Sequence, residues 1–123
     1  LKDMLAFIQD GGQVWYAADQ DLGKKSDVFA PFFGVQAACV SASSWIARES
    51  GANVLVVSQY RHPNGQYEIA FSPILESFGN DPEADAVLWN QHLEDAVRKH
   101  PEQYLWLHKR FKTRPEGEEK IYT

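Results

Sequence analysis

Residues Ala18 to Gly34 read ADQDLGKKSDVFAPFFG. Three aspartates, two lysines, three phenylalanines and a proline fall there with neither helical spacing nor strict alternation. The stretch reads as a long loop, and that reading decides the fold. Ahead of it, QVWYAA at residues 13–18 reads as a buried strand. Behind it, Val35 to Ser50 is flanked by glycines and carries Ala37, Ala38, Ser41, Ala42, Ser44 and Ala47, small side chains that let a helix lie close to a sheet. NVLVVSQY at 53–60 reads as a second strand, HPNG as a turn, and QYEIAF at 66–71 as a third strand closing a hairpin. Strand, 16-residue crossover and strand imply a right-handed unit with parallel strands, extended by one antiparallel strand. The expected class is α/β.

On the flanks, Leu1, Met4, Leu5 and Ile8 repeat at helical spacing before a DGG stop. Asp81, Pro82 and Glu83 make a helix start; Ala86, Trp89, Leu93 and Val97 form an apolar stripe, with Asn90, Glu94 and Arg98 on the other side. Pro101 is expected to restart the helix in PEQYLWLHKRF, where Tyr104, Leu107, His108 and Phe111 share a face. Trp15, Trp45, Trp89 and Trp106 are expected in the core. Residues 1–112 are assigned to one portion of a domain and 113–123 to a mobile tail with little to bury.

A chain of 123 residues, 44% of them hydrophobic, is one domain's worth of material. Its opening directly on a helical pattern at Leu1 suggests a piece of a longer protein. The single cysteine, Cys39, excludes an intrachain disulfide and a Cys-based zinc site; within the small-residue helix it reads as packing. His92, His100 and His108 recur at intervals of eight, but Pro101 interrupts them, so no metal pair is expected. No cofactor is implied. The longest aliphatic run, Val54 to Val57, is far shorter than the roughly 20 residues of a bilayer span. The net charge of −5 is uneven: residues 1–107 hold 7 Lys/Arg against 14 Asp/Glu, and 108–123 hold 5 against 3. That argues against general nucleic-acid binding by the body and for a local anionic partner at the C-terminal end.

The stretch from Ala18, the helix after it, and above all HPEQYLWLHKRFKTRPEGE at 100–118 closely resemble the C-terminal part of the lipid A biosynthesis lauroyl/myristoyl acyltransferases. Asp19-Gln20-Asp21 and Arg110-Phe111-Lys112-Thr113-Arg114-Pro115 carry the resemblance, which runs from Leu1 to about Glu118. It implies the C-terminal portion of a glycerol-3-phosphate acyltransferase-like fold, a partial three-layer sheet with flanking helices. It also implies transfer of an acyl chain from acyl carrier protein to a hydroxyl of a Kdo-bearing lipid A precursor, at the cytoplasmic face of the inner membrane. In such enzymes a His with an acid five positions on acts as base toward the hydroxyl. Here His62, His92, His100 and His108 are followed at that distance by Tyr67, Val97, Leu105 and Thr113. The base is therefore expected upstream of Leu1, with the membrane anchor, and the chain alone is expected to be inactive.

Within that resemblance, the loop leaves a strand end, where ligands bind in open α/β sheets. Asp19 and Asp21, two apart, are suited to accept hydrogen bonds from sugar hydroxyls or to hold an arginine; the alternative is that they satisfy backbone amides at a turn. Gln20 joins them through the motif. Lys24 and Lys25 are candidates for precursor phosphates, or are solvated charge. Phe29, Pro31, Phe32 and Phe33 either line an acyl-chain channel or anchor the loop. Lys109, Arg110, Lys112 and Arg114, four cations within six positions, repel one another unless an anion is near: precursor phosphate, acidic carrier protein or anionic lipid. A helix end whose cations complement its dipole is the plainer alternative. The rival to the enzyme reading is a non-catalytic module binding an anionic lipid or acidic protein through this basic end.

Overall fold

The computed structural model describes residues 2–123, apart from the side chain of Lys24. Leu1, expected on the first helix's apolar face, lies outside the described residues. The chain runs α1 (Lys2–Gln9), β1 (Val28–Phe32), β2 (Val35–Cys39), α2 (Ala42–Ser50), β3 (Val57–Arg61), β4 (Tyr67–Phe71) and α3 (Pro82–Lys99), with short 3-10 turns at Gly23–Lys25 and Pro101–Gln103. The class is α/β as expected, but β1–β2 and β3–β4 form two separate antiparallel sheets.

No parallel unit forms among the described residues, and the cause lies between Val28 and Cys39. The expected loop contains β1, and the expected helix opens with β2. The strands meet at Phe33 and Gly34, with φ of 50° and 78°, the left-handed backbone of a two-residue hairpin turn. Glycine adopts this freely; a phenylalanine needs support. α3 supplies it: the Phe33 N–H donates to Glu94 Oε1 at 2.7 Å, and the Arg98 guanidinium sits 5.0 Å from the Phe33 ring centre. With residues 35–39 in a strand, α2 is confined to Ala42–Ser50 and stops at Gly51, φ 70°. Residues 13–18 form no strand either; they find no partner strand, and Trp15 is 79% exposed.

Asp81 caps α3, its Oδ1 accepting from the amides of Glu83 at 3.0 Å and Ala84 at 3.2 Å. Ala86 and Val97 are buried, as their stripe predicts. The row Asn90, Glu94, Arg98, expected on the opposite side, instead grips the β1–β2 hairpin. Asn90 is wholly buried and donates through Nδ2 to the carbonyls of Pro31 (3.0 Å) and Ala30 (3.4 Å). Two apolar clusters surround it: Ala30, Cys39 and Ala86, and Phe32, Ala37 and Val97 with Leu93, Tyr104 and Phe111. Of the small residues expected to bring a helix near a sheet, Ala37 and Ala38 act from the sheet's side, in β2, while Ala42, Ser44 and Ala47 lie in α2, with Ser44 and Ala47 buried.

The second hairpin turns at His62–Gly65, as HPNG predicts. It is tied to the body by Tyr60 Oη, which donates to Ala96 O at 3.1 Å. Gln103 clasps Arg61, accepting from its amide at 2.8 Å and donating to its carbonyl at 3.0 Å. That clasp, with the Tyr104 ring tilted against Phe32, pulls the chain off a helical path. The expected second helix is therefore only Pro101–Gln103; Leu107 stands exposed, and Trp106, half-exposed rather than in the core, rests edge-on against Tyr104.

Asn90→Leu should lower stability by about 2–3 kcal/mol, because it strands buried carbonyls without a donor, whereas Asp81→Ala should cost only about 1 kcal/mol. Urea denaturation of the two variants checks the ranking.

Candidate functional site

Two segments almost ninety positions apart come together, Asp19–Lys25 and His108–Arg114. Asp21 is the joint. The residue is 3% exposed; its Oδ2 accepts from the Thr113 amide at 2.6 Å, and its Oδ1 accepts from Thr113 Oγ1 and from the Gly23 amide, both at 2.8 Å. Its own amide donates to His108 Nε2 at 2.9 Å, and its carbonyl accepts from Lys112 Nζ at 3.3 Å. Burial works to raise the Asp21 carboxyl, but the hydrogen bonds from Thr113 and Gly23, with Lys112 beside them, outweigh it and hold the group below its ordinary range. The carboxylate thus accepts from two backbone amides and a hydroxyl of this chain, the alternative that a turn offered to a sugar hydroxyl or an arginine.

Asp19 is half-buried and Gln20 exposed at the rim of this joint. The Tyr104 phenol, pushed up to about 12 by burial first and then by the Asp19 carboxylate, with Arg110 opposing, stays neutral. Its buried hydroxyl has no hydrogen-bond partner among the described residues. Lys25 is exposed in the 3-10 turn; the side chain of Lys24 lies outside the described residues.

The four C-terminal cations do not form one patch. Arg110 is 1% exposed: Nη1 donates to Ala38 O at 2.6 Å, Nη2 to Cys39 Sγ at 3.3 Å and Asn90 Oδ1 at 3.4 Å, and the guanidinium lies 5.7 Å from the Phe32 ring centre. Arg114 donates to Gln36 O and to the Glu118 carboxylate. Lys109 sits over the Tyr122 ring at 5.6 Å, and Lys112 reaches back to Asp21. Carbonyl dipoles and separation relieve their repulsion, so an external anion is not needed to do so. Nor do the aromatic residues line one channel, because strand alternation turns Phe32 inward and Phe29 and Pro31 outward. Cys39 lies in β2 rather than in a helix; it is a free buried thiol between Asn90 and Arg110.

Sequence reasoning singled out Asp21 and Arg110 but assigned them to a ligand. It missed Thr113, counted with the tail, and His108, whose partner is an amide that no spacing could reveal. Asn90 carried no signal, since a polar residue on a helix ordinarily faces water. No helix among the described residues is long and apolar enough to cross a membrane.

Residues 1–113 match the family described as bacterial lipid A biosynthesis acyltransferase. Among curated relatives, the chain is 37% identical over 124 residues to the lipid A biosynthesis palmitoleoyltransferase of Escherichia coli K12, covering 99% of this chain and 40% of the relative. It is 42% identical over 120 residues to the lipid A biosynthesis lauroyltransferase of the same strain, covering 95% and 39%. A Haemophilus influenzae lipid A biosynthesis acyltransferase is 35% identical over 120 residues, covering 94% and 39%. The chain thus spans about 40% of the length of these relatives.

Because Asp21 is held below its ordinary value of 3.8, the stabilisation it provides is complete above that pH and is lost as pH falls through the depressed folded value. The urea midpoint of the wild type should fall as pH drops below about 4, and Asp21→Asn should start lower and respond less to acid. Thr113→Val should cost about 1–2 kcal/mol by removing one hydroxyl bond while keeping the amide bond.

Proposed function

The chain belongs to the bacterial lipid A biosynthesis acyltransferase family, and from that premise we propose that it is the acceptor-side, C-terminal portion of an enzyme passing a fatty acyl chain from acyl carrier protein to a hydroxyl of a Kdo-bearing lipid A precursor. The observation that carries the assignment is the joint at Asp21. It unites Asp19-Gln20-Asp21 with Lys112-Thr113-Arg114, the two motifs on which the family resemblance rests. We take Asp21, Arg110 and Arg114 as positioning residues, engaged as they are with this chain's own backbone and with Glu118. Asp19 and Gln20 are left at the rim to accept and donate hydrogen bonds to sugar hydroxyls, and Lys25 and Lys112 to meet precursor phosphate.

The attacking hydroxyl needs a base to take its proton. None of the four histidines here has an acid five positions on, so the base is assigned to a portion of the enzyme outside these residues. On this reading the full-length enzyme works at the cytoplasmic face of the inner membrane, where precursor and carrier protein meet. The dispersal of Lys109, Arg110, Lys112 and Arg114 disfavours the rival, a module that binds anions through a basic end.

The test joins this chain to the remainder of the Escherichia coli lauroyltransferase in place of its matched 120 residues and follows acyl transfer from acyl carrier protein to the precursor. The joined enzyme should be active and the 123-residue chain alone inactive. Lys112→Ala should raise KM for the precursor about tenfold, the loss expected for one charged hydrogen bond, and Asp19→Asn should lower kcat/KM by a similar factor. Activity of the isolated chain, or variants with unchanged kinetics, would remove the assignment.

A further inference from the structure

β3 and β4 alternate in the opposite sense from a surface hairpin. Pairing sets Val57 opposite Phe71, Gln59 opposite Ile69 and Arg61 opposite Tyr67 on one face, and Tyr60 opposite Glu68 on the other. The face bearing Tyr60 packs on the body, with Tyr60 6% exposed. The face bearing Tyr67, Ile69 and Phe71 turns away from it, and these three are 62%, 59% and 67% exposed. An antiparallel sheet with one wet side normally puts its apolar residues inward. Here the larger apolar set faces out.

Three further observations bear on what covers it. The chain exposes 8402 Å², where a compact 14.0 kDa monomer exposes about 6,700 Å². The surplus of roughly 1,700 Å² is about twice one partner's share of a standard interface, and suits a core divided between two pieces. No third strand pairs with β3 or β4 among the described residues, and two-stranded sheets are marginal alone. A bilayer would cover the side chains but leave the strand edges unsatisfied, whereas more polypeptide covers both. Finally, the chain spans about 40% of the length of its relatives.

We propose that the outward face of the β3–β4 hairpin, centred on Ile69 and Phe71, is the seat of the remainder of the acyltransferase chain, which packs apolar side chains on it and pairs at least one strand with its edge. This rests on family membership and not on the transfer reaction, and it is read by stability and exchange rather than activity.

The experiment compares the isolated 123-residue chain with the same residues joined to the remainder of the Escherichia coli lauroyltransferase. In the isolated chain Ile69→Asp should leave the melting temperature within about 1–2 °C of wild type, as for an exposed position. In the joined protein the same change should lower it by several degrees, and amides of 57–61 and 67–71 should exchange at least 100-fold more slowly than in the isolated chain. Tyr67→Ser, a milder change, should show the same contrast should the aspartate variant fail to fold. Equal exchange in the two contexts would overturn the proposal, as would loss of stability by Ile69→Asp in the isolated chain. So would a sedimenting dimer of the isolated chain with protected hairpin amides, which would give the face to a second copy. Flotation of the isolated chain with phosphatidylglycerol vesicles, abolished by Ile69→Asp, would give it to a membrane and equally overturn the proposal.

Discussion

A charged guanidinium placed in a protein interior without a carboxylate is costly unless carbonyl dipoles replace its water. Arg110 meets that condition through Ala38 O on β2 and Asn90 Oδ1 on α3, with the Phe32 ring from β1 beside it. Asn90 in turn serves the carbonyls of β1. Four parts of the chain thus converge on two polar side chains: both strands of the first hairpin, the long helix and the C-terminal segment. Apolar clusters built on Ala30, Ala37 and Cys39 are too small to specify this arrangement by shape alone. The hydrogen-bonded pair Arg110 and Asn90 does specify it, because any shift of α3 along the hairpin would strand several buried groups together.

The joint at Asp21 depends on that anchor. Thr113 lies three residues beyond Arg110, so once the guanidinium is seated the following turn of chain is delivered to the Asp19–Lys25 segment. There a carboxylate accepts two bonds from Thr113 and one from Gly23. The consequence for function is rigidity in a segment with little regular structure. Asp19, Gln20 and Lys112 sit within two residues of groups that are locked, which is the kind of support that a binding constellation on loops requires.

Part of the fold was legible. The α3 start was visible because Asp81 and Pro82 act locally, and the β3–β4 hairpin because HPNG is a turn by its own chemistry. The β1–β2 hairpin was not, because its turn residue Phe33 takes a positive φ only through Glu94 and Arg98, sixty positions away. Missing that turn made a loop of β1 and a helix of β2, and the parallel unit followed. For the site, the two motifs were recognised as separate ligand contacts. Their contact with each other is a tertiary fact, and composition near Thr113 suggested only a polar tail.

The charge pattern takes on a different meaning once these contacts are known. The sequence counts 12 basic residues against 17 acidic, with the basic ones crowded near the end. Yet Arg110 is spent on carbonyls inside the fold and Arg114 on Gln36 O and Glu118, so neither contributes a free positive charge to the surface. Among the described side chains, the cations left in the two joined segments are Lys25, Lys109 and Lys112, on a body whose net charge is negative. An anionic precursor would therefore gain little from long-range attraction to these residues and must be held at short range, by contacts within a Debye length. On the proposed function, selectivity would then lie in the geometry of the joint rather than in the overall field, and acceptor recognition would turn on the positions of Asp19, Gln20 and Lys112 relative to Asp21.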